Sequence, residues 1–253
     1  MGAEVRLAFL TVDDPIYLPS FFEVVLAEYH ASTDCVYSVP PLYKGQTRTR
    51  AAWRYYRTFG AGAATGLVKR LAAAKKARRS IARTCAGLGV PHAVVADVNS
   101  PEFVEKLRQR RPDVIVSVSC PQIFQRPLLD VPPIGCLNIH GAVLPQYRGV
   151  MPSFWMLANG ERQAGVTIYF MDEEVDAGEV CARRMFEILP METLDHFLRR
   201  SKRVAAELLI DVLPSIERGT VTREPVDTSK GSYYSWPDKE AVRRFRAAGR
   251  SLW

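Results

Sequence analysis

Short apolar runs alternate with stretches of helical period through the first 140 residues, and this alternation restricts the fold more than any other feature of the chain. Val5–Val12, Cys35–Val39, His92–Ala96, Asp113–Val118 and Cys136–His140 read as strands, the fourth of them apolar throughout Val114–Val116. Between them, Leu18–Tyr29 places Leu18, Phe21, Phe22, Val25, Leu26 and Tyr29 on one helical face. Leu67–Ala86 reads as an alanine-rich helix, Pro101–Arg110 as another, and Pro127–Leu129 as the end of a short one. Strands in alternation with helices predict an α/β fold, an open, mostly parallel, twisted sheet with helices on both faces. Gly165–Met171 and Val180–Phe186 add strands near one sheet edge, and Leu194–Val212 adds a long amphipathic helix. Past Gly219 the chain turns polar and aromatic, so residues 1–218 read as one domain and 219–253 as a short C-terminal extension.

Several function classes are disfavoured at once. After the first strand stands Thr11-Val12-Asp13-Asp14-Pro15, where a dinucleotide fold would carry G-x-G-x-x-G, and no Walker pattern occurs. The five cysteines include no C-x-x-C pair, which predicts thiols in a reducing cytoplasm rather than a disulfide framework. Cys120 and Cys136 read as small buried apolar residues. The histidines, at 30, 92, 140 and 196, are not at ligand spacing, and no metal is expected. No apolar run approaches the ~20 residues that span a bilayer, and no signal peptide is read at the N-terminus.

The stretch Gly135-Cys136-Leu137-Asn138-Ile139-His140 carries the chemistry. Strand alternation points Asn138 and His140 the same way, about 7 Å apart along the chain. They close an otherwise apolar strand at its carboxyl end, where open α/β sheets bind ligands. A loop bearing glycine and proline, residues 141–149, follows directly. A second polar element, Asp172-Glu173-Glu174-Val175-Asp176-Ala177-Gly178, follows the next strand. Taken singly, Asn138 and His140 also fit satisfied polar residues at a strand end, Asp176 a turn residue before glycine, Asp172 and Glu174 solvated turn residues, and Pro121 to Phe124 plain packing.

Together these residues resemble the folate-dependent formyltransferase family. The match consists of Asn138 and His140 as N-x-H, the Leu144-Pro145 loop ending in Arg148-Gly149, and Asp176-Ala177-Gly178 as D-x-G. Asn159-Gly160-Glu161 and Gly165-Val166-Thr167-Ile168 match in between, and Cys120 to Phe124 falls where the family's pterin-pocket wall lies. The resemblance is good over about residues 90–190. It implies a Rossmann-like fold, 10-formyltetrahydrofolate as formyl donor and an amine as acceptor. It also implies roles: Asn138, His140 and Asp176 catalytic; Pro121, Gln122, Ile123, Phe124, Leu144, Pro145, Asp172 and Val175 contacting the folate. Asn138 can aim an amide donor at the oxyanion that develops on the formyl oxygen. His140 can hold charge or shuttle the amine proton, and Asp176 can orient His140 and relay a proton through water.

The acceptor is read from departures. tRNA-acting members carry a C-terminal β-barrel domain, and here one long helix and a tail follow the D-x-G turn. Glycinamide ribonucleotide enzymes have a glycine- and serine-rich loop where this chain has Thr11–Pro15. Pro152-Ser153-Phe154-Trp155 looks like the amino-sugar members, so Trp155 and, from the tail, Tyr234 are candidate acceptor contacts; both also fit a packing role. A nucleotide- or lipid-linked amino sugar is the first expectation. A methionyl-tRNA formyltransferase-like activity and a formyltetrahydrofolate hydrolase are the alternatives. Residues 35–96 hold no acid and twelve basic side chains, which accounts for the formal charge of +7. With Trp53, Tyr55 and Tyr56 interleaved, segment 44–86 suits contact with anionic lipid at the inner membrane face by an otherwise cytoplasmic protein. It equally fits an ordinary solvated basic helix. Nucleic acid is disfavoured as a partner, and the oligomeric state is left open, a dimer being one option.

Overall fold

A computed structural model describes residues 5–41 and 45–253; Lys44 of the basic segment therefore lies outside the described residues. The chain enters at the middle of its sheet. β1 (Leu7–Val12) is followed by α1 (Leu18–Tyr29) and by β2 (Thr33–Val39), which pairs parallel to it. Three helices come next, α2 (Arg48–Phe59), α3 (Ala61–Lys76) and α4 (Ile81–Gly87), before β3 (His92–Val94) closes that edge. The chain then crosses back through α5 (Pro101–Arg110) to β4 (Val114–Val118), which pairs with the other side of β1. α6 (Arg126–Leu129) leads to β5 (Gly135–His140). The short β6 (Arg148–Gly149) and α7 (Pro152–Ala158) precede β7 (Gln163–Phe170), antiparallel to β5, and β8 (Val180–Glu187), antiparallel to β7. α8 (Leu194–Glu217), β9 (Tyr233–Tyr234) and α9 (Lys239–Ala247) complete the order. The strand order β3-β2-β1-β4-β5-β7-β8 is the open, mostly parallel α/β sheet expected.

Strand alternation sorts the core into two layers. Phe9, Val116, Leu137 and Ile139 pack with Phe22 of α1 and Leu209 of α8 on one face. Leu10, Ile115 and Cys136 pack with Phe103 of α5 and Leu128 of α6 on the other. Because the chain leaves β1 toward β2 on one side and returns to β4 on the other, the carboxyl ends of β1 and β4 open a crevice between them.

One expectation is corrected. The alanine-rich stretch is two helices: Arg78 takes a left-handed φ of +52°, and Ser80 caps α4 by accepting from the Arg83 amide at 3.2 Å. Gly60 separates α2 from α3, and Gly62 and Gly66 lie within α3. The polar, aromatic tail packs against the domain. Phe245 of α9 stacks on Phe154 of α7 at 4.9 Å, and β9 pairs with β6 beside the loop after β5.

Candidate active site

The antiparallel pairing of β5 with β7 sets Asn138 opposite Tyr169 and His140 opposite Thr167. After β7 the chain turns back sharply. A Cβ at Gly178 would run into the Phe170 carbonyl oxygen, so only glycine permits the turn, and Asp176 takes a left-handed φ of +53°. The turn lays the buried Asp176 carboxylate against the end of β7. There the Tyr169 hydroxyl donates to Asp176 Oδ1 at 2.9 Å, and Asn138 Nδ2 donates to the Tyr169 oxygen at 3.0 Å. The direction of this chain follows from chemistry. A carboxylate only accepts, so the phenol must give it its single proton, and the phenol oxygen is left to accept from an amide NH2. Burial and the Asp176 charge hold the Tyr169 phenol well above its ordinary pKa, so it keeps that proton. Asn138 is thereby held amide-nitrogen inward, with a second N–H to spare.

The other half of the site is a loop stitched to the turn. Arg148 donates to the Val175 carbonyl and to Glu174, each at 2.7 Å. The Gly149 amide donates to Asp176 Oδ2 at 2.8 Å. His140 Nε2–H donates to the Tyr147 carbonyl at 2.8 Å, leaving Nδ1 3.5 Å from Asp176 Oδ1. The ring is held by a backbone carbonyl on one side and faces the Asp176 carboxylate on the other, while Asp176 also accepts from Tyr169 and Gly149. A neutral His140 in this tautomer has a lone pair on Nδ1, on the carboxylate side, able to take a proton.

Asn138, His140 and Asp176 line one cleft of about 570 Å³, together with Pro121, Gln122, Ile123, Phe124, Asp172 and Val175. Of these, Gln122 also braces the wall, accepting from the Val98 amide and donating to the Ala96 carbonyl at 2.8 Å each. Burial pushes the Cys120 thiol up to about 11, in keeping with an inert wall residue. Four expected contacts lie outside the lining. Leu144 is buried against Tyr169 and Val180, and Pro145 is covered by the tail, its carbonyl accepting from Ser232. Trp155 is buried, stacked on Tyr234 at 4.6 Å, and Tyr234 in turn stacks on Tyr147 at 5.2 Å. The neighbouring Tyr233, 62% exposed, is the tail residue that reaches the cleft. Tyr169 and Lys202 are among the cleft residues that sequence reasoning missed. Among the described residues no group of histidine, cysteine or carboxylate side chains is arranged to hold a metal.

The family model described as formyl transferase matches residues 64–213, more than half of the chain. Methionyl-tRNA formyltransferase of Ruminiclostridium cellulolyticum is 38% identical over 138 residues, covering 54% of this chain and 44% of that protein. The chain therefore spans about half the length of such relatives. An N-formyltransferase from Helicobacter canadensis, solved with folinic acid and dTDP-3-aminofucose, superposes with a TM-score of 0.63 at 14% identity, covering 97% of this chain and 80% of that one. Glycinamide ribonucleotide transformylase 1 from Symbiobacterium toebii superposes with a TM-score of 0.62 at 16% identity, covering 90% and 96%. At these identities the superpositions speak to fold.

Proposed function

The chain belongs to the formyl transferase family, and from that premise we propose that it transfers a formyl group from 10-formyltetrahydrofolate to the primary amine of a small acceptor. The observation that carries the reading is the hydrogen-bonded run from Asn138 through Tyr169 to Asp176, set beside His140 in a single cleft. The folate supplies an activated formyl group. Asn138 directs its spare N–H at the position where negative charge grows on the formyl oxygen. His140 Nδ1 takes the proton that the attacking amine sheds, the Asp176 carboxylate stabilises the imidazolium that results, and the proton passes to the departing folate nitrogen as its bond to the formyl carbon breaks. The part of the cleft lined by Pro121 to Phe124, Asp172 and Val175 is assigned to the folate.

For the acceptor, a nucleotide- or lipid-linked amino sugar is proposed first. A second reading, transfer to charged initiator tRNA, is favoured by the name of the relatives at 36–38% identity. Incubation with 10-formyltetrahydrofolate and nucleotide-linked amino sugars, hydroxyornithine or charged initiator tRNA, scored by product mass, separates them. Formylated amino sugar is the expected product. Formate released without any amine would instead point to a hydrolase.

The basic segment supports a peripheral role at anionic membranes. Trp53 and Tyr56 stand 60% and 45% exposed on α2 and stack at 5.6 Å, flanked by arginines. Other members of the segment serve the fold, Arg54 lying over Trp236 and Arg70 over Trp253. Among the described residues no helix is long and apolar enough to cross a membrane. The protein is expected to co-sediment with phosphatidylserine vesicles at low salt and to be released as salt rises. No binding to anionic vesicles at low salt removes this part of the reading.

A further inference from the structure

The imidazole at the centre of the site has a rival arrangement that would disable it. A neutral ring carries its proton on one nitrogen only. With the proton on Nε2, donated to the Tyr147 carbonyl at 2.8 Å, Nδ1 keeps a lone pair for the proton of the attacking amine. With the proton on Nδ1, the ring would turn its donor to the Asp176 carboxylate, 3.5 Å away, and its lone pair would face the Tyr147 carbonyl instead. The carboxylate therefore competes with the carbonyl for the ring, and the position of one peptide oxygen decides which tautomer holds.

That oxygen belongs to a residue fixed through its amide, its ring and its hydroxyl. Tyr147 takes a left-handed φ of +57°, a conformation that an aromatic residue keeps only where its surroundings impose it. Its amide donates to Ser232 Oγ at 2.9 Å, across 85 residues of sequence. Its ring stacks on Tyr234. Its hydroxyl donates to Glu161 at 2.5 Å and accepts from the Asn159 amide at 3.3 Å. Ser232 in turn directs every polar group it has at this loop. Its own amide donates to the Pro145 carbonyl at 3.3 Å, and its carbonyl accepts from the Arg148 amide at 2.9 Å. Its hydroxyl gives its proton to Gln146 Oε1 at 3.1 Å, which leaves a lone pair for the Tyr147 amide. The two segments meet backbone to backbone, because Gly231 has no Cβ to strike the Pro145 carbonyl.

We propose that the strap formed by residues 231–234 belongs to the active site: Ser232 and Tyr147 are positioning residues that hold the Tyr147 carbonyl on His140 Nε2 and so keep Nδ1 free to take a proton. The consequence for turnover rests on the formyl-transfer reading; the control of the tautomer does not. Neither side chain lines the cleft, so neither touches a reacting atom. Loss of the Ser232 hydroxyl frees the Tyr147 peptide to relax out of its left-handed conformation and carries the carbonyl away from Nε2. The ring then gives part of its population to the tautomer that faces Asp176. Substrates still bind, but a smaller fraction of the enzyme is competent, and the deficit falls on kcat.

The test pairs steady-state kinetics with nitrogen NMR of isotope-labelled histidines, recorded without substrates at a pH well above the ordinary histidine range. The chain has four histidines, and the spectrum of His140→Ala assigns the resonances of interest. The wild-type ring is expected to carry its proton on Nε2. Ser232→Ala should raise the fraction protonated on Nδ1 and lower kcat by about 3- to 10-fold, the scale of one neutral hydrogen bond, with the KM for the folate unchanged. Ser232→Thr, which keeps the hydroxyl, should restore both readings. Asp238→Ala serves as the control for stability alone. It removes the carboxylate that accepts from the Ala241 amide at the start of α9, which lowers Tm without touching the loop, and it should leave tautomer and kcat as in the wild type. A wild-type ring protonated on Nδ1, an unshifted tautomer in Ser232→Ala, or an equal loss of kcat in Asp238→Ala overturns the assignment. If the tautomer shifts in Ser232→Ala and yet the wild type formylates no amine, the formyl-transfer reading falls and the control of the ring by Ser232 stands.

Discussion

Asn138→Ala is expected to lower the turnover of formyl transfer by ~10²–10³-fold, the usual effect of deleting one preorganised oxyanion donor, with folate binding largely preserved. The amide acts where charge develops and not where the folate is held, so the loss should fall on kcat. Asn138→Asp should be at least as severe. It keeps the shape of the side chain but puts negative charge at the oxyanion position. It also competes with Asp176 for the single Tyr169 proton, because two carboxylates would face one donor. His140→Ala should abolish measurable transfer while folate binding, read by fluorescence quenching, survives. Single-turnover rates separate these effects from product release. Unchanged transfer in His140→Ala would reject the role given to the imidazole.

Asn138 and His140 are legible in the sequence for a physical reason. Alternation places both on one side of a strand whose other residues are apolar, and the apolar pattern stops where the ligand edge begins. Asp176 is legible through Gly178, since a turn this tight admits no Cβ beside the Phe170 carbonyl. Tyr169 is not. It stands in Gly165–Met171, which reads as core, and its meeting with Asn138 across 31 residues is a matter of antiparallel register that no local pattern encodes. Lys202 is hidden differently. On the amphipathic pattern of the long helix it falls off the apolar stripe, which ordinarily means solvent, but α8 carries it over the rim of the sheet to Ser119. The aromatic signals mislead in the opposite sense. Trp155 and Tyr234 look like stacking platforms for a ligand, and they stack on one another because the parallel pairing of β6 and β9 brings the tail alongside α7.

Tyr169→Phe is expected to reduce kcat by about 10- to 100-fold without moving the KM for the folate. The phenol touches no reacting atom in the mechanism above, so it is a positioning residue. Without its oxygen the Asn138 amide loses the acceptor that keeps its nitrogen facing inward, and Asp176 Oδ1 loses a donor. The buried Asp176 carboxylate left short of a donor also costs stability, about 1–3 kcal/mol, which a lowered Tm will report. A falling Tm alone does not distinguish orientation from simple bracing. The discriminating measurement is the double-mutant cycle with Asn138→Ala. If Tyr169 works by aiming Asn138, then Tyr169→Phe in the Asn138→Ala background should change kcat by less than about twofold, because there is no amide left to aim. An equal loss in both backgrounds would separate the two residues and leave Tyr169 as a support for Asp176 alone. The pH profile gives an independent check. With the phenol held well above its ordinary range by burial and by the Asp176 carboxylate, wild-type activity should show no alkaline limb that vanishes in Tyr169→Phe. Such a limb would mean that the phenol itself exchanges protons in the reaction.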